Sequence, residues 1–169
     1  MPEALTIAGE IVKNLSGRNM MIAAAESCTA GLAADLIARI PGASSVFWGS
    51  FVSYAVDAKS IMLGIREEFI NEHGAVSRHV ALEMAEKALE KSGVFWAFSV
   101  TGIAGPGGGS SHTPIGTVWI AISGKDGDGG SLRSEAKKFL FGGSRNEIRE
   151  AAALKALELL LERINEFKA

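Results

Sequence analysis

The sequence predicts an α/β fold, a three-layer α/β/α sandwich built around a mixed, mostly parallel β-sheet. Short apolar segments that suit strands buried on both faces alternate along the chain with segments of helical periodicity. Two more strand-like segments flank a glycine-rich stretch near the C-terminal end and predict an antiparallel hairpin, which makes the sheet mixed. Because the 169 residues contain no long linker and no internal repeat, we expect a single domain over residues 1–169.

The first half of the chain alternates between helix and strand. Pro2 suits a first helical turn, and apolar residues then recur at helical spacing until Ser16 and Gly17 end the helix. A strand at 20–25 and a helix at about 28–40 follow, and Pro41 and Gly42 close that helix. The segment 46–55 is rich in β-branched and aromatic residues and predicts the next strand.

The second half continues the same alternation. Two short helical turns are expected at 57–65 and 66–72, and Ser77 is placed to cap a clearer helix at 77–91. A buried strand at 95–100 leads into the glycine-rich segment 101–114. The remaining expected elements are the hairpin strands 117–123 and 132–141, joined by a loop at 124–130, and a final helix. Gly142 and Gly143 lead into that helix, which runs to about Glu166.

Composition excludes several classes of function. The formal net charge of −2 gives no basic surplus for binding nucleic acid or an anionic membrane surface. Cys28 is the only cysteine, so no internal disulfide can form, and the three histidines do not have metal-ligand spacing. We therefore expect no metal site. No signal-peptide pattern and no apolar run of about 18–20 residues is present, which favours a soluble cytoplasmic protein.

Ser27 stands where a predicted strand passes into a predicted helix. Ligands of open α/β sheets bind beyond the carboxyl ends of the strands, so this position has two interpretations. Serine is a preferred N-cap residue, and capping is the ordinary explanation. The alternative is a nucleophile at a helix N-terminus, where free amides favour developing negative charge. Position alone does not separate the two.

Cys28 and Lys59 each have two interpretations as well. Cys28 is a rival nucleophile, because a thiol at a helix N-terminus has a lowered pKa, but free cysteine is commonly a small buried hydrophobe. Lys59 follows the 46–55 strand, and most lysines are solvated surface groups. If Lys59 were half-buried against Ser27, desolvation would lower its pKa and make it a usable general base.

The glycine-rich segment 101–114 follows a buried strand directly. It lacks the spacing of a P-loop or a dinucleotide-binding loop, and a flexible surface loop is the simplest interpretation. The functional interpretation is close approach of the backbone to a ligand, with a hydroxyl from Thr101 and amides from Gly102 or Gly105. The position of the segment favours the functional interpretation.

Four segments of the chain form a recognisable set: AESCTAGL at 25–32, VSY at 52–54 with AK at 58–59, HGAVS at 73–77, and VTGIAGPGG at 100–108. Together they resemble the CinA C-terminal domain family, which includes nicotinamide-nucleotide amidases. The resemblance covers almost the whole chain in the family's motif order. It implies a mixed-sheet α/β/α fold, a homo-oligomer (a dimer or larger), and hydrolysis of nicotinamide mononucleotide to nicotinate mononucleotide and ammonia without metal or cofactor.

The resemblance also implies roles for individual residues. Ser27 would be the nucleophile and Lys59 its general base, with Tyr54 and Thr101 beside the reacting centre. The residues expected to bind the nucleotide substrate are Cys28, Thr29, Gly102, Gly105 and Arg145. The chain departs from the family pattern at Ala30, where glycine is frequent, and at 142–145, which only approximates the family's segment. The chain has no room for the pyrophosphatase domain of longer relatives, so it resembles the stand-alone amidase form.

Two other functions stay open at the level of sequence. A nucleotide-binding module without catalytic activity would keep the glycine-rich segment as a binding surface, with Ser27 as a cap and Lys59 as a phosphate contact. An amidase for a different small amide would still depend on Ser27.

Overall fold

The computed structural model describes residues 2–125 and 132–167. The spacing of apolar residues produces helical and strand segments that alternate along the chain up to the hairpin near the C-terminal end. In chain order the elements are α1 (Pro2–Ser16), β1 (Ile22–Glu26), α2 (Leu32–Ala38), a 3₁₀ turn (Ala43–Ser45), β2 (Phe47–Val52), α3 (Val56–Leu63), α4 (Glu67–His73), α5 (Arg78–Ser92), β3 (Trp96–Gly102), β4 (Thr117–Lys125), β5 (Leu132–Leu140) and α6 (Arg145–Glu166).

The described strands form one five-stranded sheet in the order β2-β1-β3-β4-β5. β1 pairs in parallel with both β2 and β3, whereas β4 pairs antiparallel with β3 and with β5. Four strands therefore run in one direction and only β4 runs against them. The carboxyl ends of β1, β2 and β3 lie at the same edge of the sheet, where Glu26 is in register with Val52 on one side and with Val100 on the other.

Helices cover both faces of the sheet. On one face α1, α2 and α6 share a core with Ile22 and Ala24 of β1 and with Phe98 of β3. On the opposite face α3, α4 and α5 pack against Ala25 and Ala97, the neighbouring strand residues that point the other way. This alternation confirms the predicted three-layer α/β/α sandwich with a mixed, mostly parallel sheet.

The start of α2 differs from the prediction. The helix expected from residue 28 begins only at Leu32, and residues 27–31 form a turn. Ala30 and Gly31 both adopt left-handed conformations, with φ of 53° and 88°, which a right-handed helix does not admit. The carboxylate of Glu26 then accepts hydrogen bonds from the first free amides of α2 and fixes where the helix begins.

Two smaller differences concern the strands. The strand predicted for 46–55 ends at Val52, because Ser53–Ala55 turn the chain into α3. In the predicted hairpin loop, Gly124 and Lys125 still belong to β4, and the rest of the loop lies outside the described residues. None of the described helices has the length and apolar character that crossing a membrane requires.

Candidate functional site

Ser27 is the first residue beyond β1, and its side chain caps no helix. Its amide donates to the carbonyl of Val100 on β3 at 2.9 Å, which extends the strand pairing by one residue. The amides of Ala33 and Ala34, at the start of α2, donate to the carboxylate of Glu26 at 3.1 and 2.9 Å. The interpretation of Ser27 as an N-cap is therefore wrong, and its hydroxyl is free for another role.

Lys59 supplies the partner of that hydroxyl. It lies in α3, which begins four residues beyond β2, and its side chain reaches back to the sheet edge. The Nζ atom lies 3.0 Å from Ser27 Oγ and 2.9 Å from the carbonyl oxygen of Ser53. With only 1% of its surface exposed, Lys59 is among the largest fully buried side chains described, so its interpretation as a solvated surface group is wrong.

Burial changes the acid–base chemistry of Lys59. Removing the ammonium from water lowers the pKa of Lys59 below its ordinary value, because the charged form loses its hydration. Its hydrogen-bond partners within the described residues are a hydroxyl and a carbonyl, and neither is a carboxylate that would restore the charge. The neutral amine consequently becomes accessible at lower pH than in a solvated lysine. A neutral amine can accept the Ser27 proton.

Cys28 follows Ser27 in sequence, but its thiol lies outside the site. Its thiol is buried in the core that α1, α2 and α6 share, on the face of the sheet opposite Lys59 and α3. Burial raises the pKa of the Cys28 thiol to about 11, so the thiol stays protonated near neutral pH. The interpretation of Cys28 as a small buried hydrophobe fits the structure, and the nucleophile interpretation does not.

Tyr54 contacts the site through its backbone. The hydroxyl of Ser27 lies 3.4 Å from the Tyr54 carbonyl oxygen, a long hydrogen bond. The phenol hydroxyl of Tyr54 instead accepts a hydrogen bond from the guanidinium of Arg145, which also donates to the carbonyl of Gly105. The structure thus joins three predicted residues into one hydrogen-bonded group, in which Tyr54 and Arg145 are exposed and Gly105 is buried.

The remaining predicted site residues, Thr101, Gly102 and Thr29, are packed within the fold. The buried hydroxyl of Thr101 donates to the carbonyl of Ala75 at 2.8 Å, so it anchors the segment before α5. Gly102 allows close packing of β3 on β4, because an added Cβ would lie 2.7 Å from the carbonyl oxygen of Thr117. Thr29 is fully buried, and its hydroxyl finds no partner among the described residues.

Comparison with known proteins places these features in a family. A sequence model described as "CinA C-terminal domain" matches residues 4–164. The chain belongs to the CinA C-terminal domain family. The quoted segments 25–32, 52–59, 73–77 and 100–108 all lie inside the match, so the resemblance seen in the sequence is confirmed.

Relatives of different lengths share this domain. The chain is 40% identical over 158 residues to the nicotinamide-nucleotide amidohydrolase PncC of Escherichia coli strain K12, covering 94% of this chain and 93% of that protein. It is 42% identical to a putative competence-damage inducible protein of Symbiobacterium thermophilum, covering 92% of this chain but only 37% of that protein. The chain thus spans just over a third of the longer relatives and nearly all of the shorter one.

Solved structures of the family share the fold. The crystal structure of competence/damage inducible protein CihA from Agrobacterium tumefaciens matches with a TM-score of 0.89 and 40% identity, covering 97% of this chain and 96% of that one. Competence damage-inducible protein A from Klebsiella pneumoniae also matches with a TM-score of 0.89, at 30% identity over 98% of this chain. The order of layers and strands is therefore that of the CinA C-terminal domain.

Sequence reasoning missed two charged residues of this CinA-family site. Glu26 is fully buried and ties the end of β1 to the start of α2. Arg149, in the second turn of α6, donates to the carbonyls of Cys28 and Thr29. A glutamate at the end of an otherwise apolar strand was the visible signal for Glu26. No local signal marked Arg149, because its partners lie about 120 positions away. Within the described residues no group of three or more His, Cys, Asp or Glu side chains could hold a metal ion.

Proposed function

We propose that this chain hydrolyses nicotinamide mononucleotide to nicotinate mononucleotide and ammonia, with Ser27 as nucleophile and Lys59 as general base. The observation that carries the proposal is the 3.0 Å contact between the buried Lys59 Nζ and Ser27 Oγ. The substrate is supported by the 40% identity to a protein named nicotinamide-nucleotide amidohydrolase over nearly its full length. We further propose a single-domain cytoplasmic enzyme that assembles as a homo-oligomer and needs no metal or cofactor.

The hydrogen bonds around Lys59 permit both protonation states. As an ammonium, Nζ donates to Ser27 Oγ and to the Ser53 carbonyl, and the Ser27 hydroxyl then donates to the Tyr54 carbonyl. As a neutral amine, Nζ still donates to the Ser53 carbonyl and turns its lone pair toward the Ser27 proton. The Ser53 carbonyl therefore holds Nζ in place in both states, so the base needs no rearrangement before it acts.

The reaction then proceeds through an ester. Neutral Lys59 takes the Ser27 proton while Oγ attacks the carboxamide carbon, and the carbonyl oxygen of the amide becomes an oxyanion. Protonated Lys59 gives its proton to the amide nitrogen, the C–N bond breaks, and ammonia leaves. Water next attacks the Ser27 ester, Lys59 accepts a proton from that water, and its return to Oγ releases the carboxylate product and regenerates the hydroxyl.

The turn 27–31 offers donors for the oxyanion. The amides of Cys28 and Thr29 donate to no backbone carbonyl among the described residues, and we assign them to the developing negative charge. The hydroxyl of Thr101 is already engaged by Ala75 and does not serve as such a donor in this arrangement. The exposed Arg145 guanidinium, positioned by Gly105 and Tyr54, is a suitable group for the phosphate of the nucleotide.

The test is ammonia release from nicotinamide mononucleotide by the purified protein. Ser27→Ala should lose at least about 10³-fold in turnover, because an essential nucleophile is removed. Cys28→Ser should keep most activity, since the thiol lies on the opposite face of the sheet. Ser92→Ala, which removes a hydroxyl bonded to the Ala88 carbonyl at the other end of α5, is the matched serine control.

The alternatives give different results in the same assay. A nucleotide-binding module without catalysis would bind nicotinamide mononucleotide and release no ammonia from any amide. An amidase for another substrate would leave nicotinamide mononucleotide intact and hydrolyse a different small carboxamide, in a manner dependent on Ser27. The binding alternative also needs Lys59 as a phosphate contact, and a side chain that is 1% exposed is poorly placed for it.

A further inference from the structure

The side chain of Arg149 donates hydrogen bonds to the turn 27–31, which carries the proposed nucleophile. It lies in α6, on the face of the sheet opposite Lys59, and its side chain is partly buried. Its Nε donates to the carbonyl oxygen of Cys28 at 3.2 Å, and its Nη2 donates to that of Thr29 at 2.9 Å. One guanidinium therefore holds two consecutive carbonyls, a fork that the point charge of a lysine could not reproduce.

The same turn is fixed independently at its start. Glu26 anchors the end of β1 to the amides of α2, and the Ser27 amide is paired with the carbonyl of Val100. The turn also contains Ala30 at a φ of 53°, a conformation that a residue with a Cβ adopts only where its surroundings impose it. Since the ends are held by Glu26 and the sheet, the contact specific to Arg149 is with the middle of the turn.

The direction of an amide follows from the direction of its carbonyl. In a trans peptide unit the C=O and the N–H point in opposite directions, so the Cys28 carbonyl and the Thr29 amide form one rigid plane. Because Arg149 draws the Cys28 carbonyl toward α6, the Thr29 amide points away from α6. That amide donates to no backbone carbonyl among the described residues, so no such hydrogen bond on its own side fixes its direction.

We propose that Arg149 is a positioning residue that aims the Thr29 amide at the oxyanion formed when Ser27 attacks its substrate. This inference rests on the proposed function for the identity of the nucleophile, but it concerns a residue that touches neither substrate nor reacting atoms. Without Arg149 the peptide between Cys28 and Thr29 can rotate, while Ser27, Lys59 and the substrate contacts near Arg145 stay where they are. The loss falls on stabilisation of the transition state rather than on binding of the substrate.

Steady-state kinetics with nicotinamide mononucleotide test this inference. Arg149→Ala should lower kcat about 10²-fold, the size of effect that a misaimed catalytic group produces, with KM changed less than about 3-fold. The kcat of Arg149→Lys should lie between those of the wild type and Arg149→Ala, because one ammonium cannot hold both carbonyls. Arg163→Ala is the matched control on the same helix, since the ion pairs of Arg163 within the described residues are with Glu135 and Glu166.

Chemical rescue separates positioning from a merely structural role. Guanidinium ion, added far below denaturing concentrations, should restore much of the kcat of Arg149→Ala by occupying the vacated space, and should not restore Arg163→Ala. Thermal unfolding of each variant shows whether it is folded at the assay temperature. A fall in kcat that guanidinium does not rescue, or a rise in KM at unchanged kcat, would overturn the proposal.

A second readout keeps this inference apart from the choice of substrate. A fluorophosphonate probe phosphonylates an activated serine through an intermediate whose oxygen also needs amide donors, and intact-mass measurement gives the rate at Ser27. Arg149→Ala should slow this labelling, and Arg163→Ala should not. If the wild-type protein is labelled at Ser27 but releases no ammonia, the proposed substrate is wrong and the Arg149 inference stands. If Arg149→Ala is labelled as fast as wild type, or if wild type is not labelled at all, the inference fails.

Discussion

Substitution of Lys59 separates a general base from a buried positive charge. Lys59→Arg keeps the charge but stays protonated at any working pH, whereas Lys59→Met removes both the charge and the base. General acid–base catalysis contributes about 10²–10⁴-fold, and we expect both variants to lose turnover in that range. A residue that only bound a phosphate would instead tolerate arginine well and methionine poorly.

Lys59→Met should lower turnover, but it should raise the free energy of unfolding. Burying a charge costs several kcal/mol, and the two hydrogen bonds that Lys59 donates return about 1 kcal/mol each. We therefore expect Lys59→Met to be more stable than wild type by about 1 kcal/mol or more near neutral pH. For a domain of this size that corresponds to a rise in Tm of about 2–4 °C per kcal/mol.

The pH dependence follows from the lowered pKa of Lys59. Between the folded pKa and the unfolded value near 10.4, the unfolded chain binds more protons, so the stability of the wild type rises with pH across that window. Below the folded pKa both states are protonated, and the full cost of burial is present. The stability advantage of Lys59→Met should therefore be largest at low pH and shrink as pH rises. Turnover by the wild type should increase through the same folded pKa, as the amine becomes neutral.

Ammonia release and thermal unfolding between about pH 6 and 10 measure both effects. Lys87→Met is the matched control, because Lys87 forms a solvent-screened surface ion pair with Glu90 that adds little to stability. Near-normal turnover in Lys59→Arg would refute the assignment of Lys59 as the base. A loss of stability in Lys59→Met at every pH would refute the argument from buried charge.

Three further outcomes are expected. Iodoacetamide at pH 8 should alkylate Cys28 at least about 10²-fold more slowly in the folded protein than in the unfolded chain, because burial raises the pKa of its thiol to about 11. Mass spectrometry measures both rates, and equal rates would contradict this expectation. Arg145→Ala should raise KM for nicotinamide mononucleotide about 10–100-fold at nearly unchanged kcat, since a charged contact contributes about 1.5–3 kcal/mol, and Tyr54→Phe should have a smaller effect. Turnover should survive treatment with a chelator, and loss that a divalent ion restores would show that a metal is required.

The sequence determined the parts of this protein that depend on neighbours along the chain. Helical spacing of apolar residues and the cap at Ser77 predicted α5 almost to the residue, and its hydroxyl does accept from the Val80 amide. Short apolar runs predicted β1 and β3, because a strand buried on both faces needs no polar alternation. The family motifs named Ser27 and Lys59 but left open how two residues 32 positions apart meet.

The tertiary structure decided which side chains share the site. Ser27 faces Lys59 while Cys28 faces the opposite core, and that difference arises from the direction in which the chain leaves β1. The start of α2 was mispredicted because Glu26, outside the helix, caps it, and a serine in front of a helical pattern gives the same local signal as a true cap. Arg149, in α6, reaches the turn 27–31 only because α2 and α6 pack on the same face of the sheet. Local sequence encodes periodicity and helix caps. The burial of Lys59 and the hydrogen bonds of Arg149 form only when distant segments pack together, because desolvation and hydrogen-bond geometry depend on atoms that the local sequence does not contain.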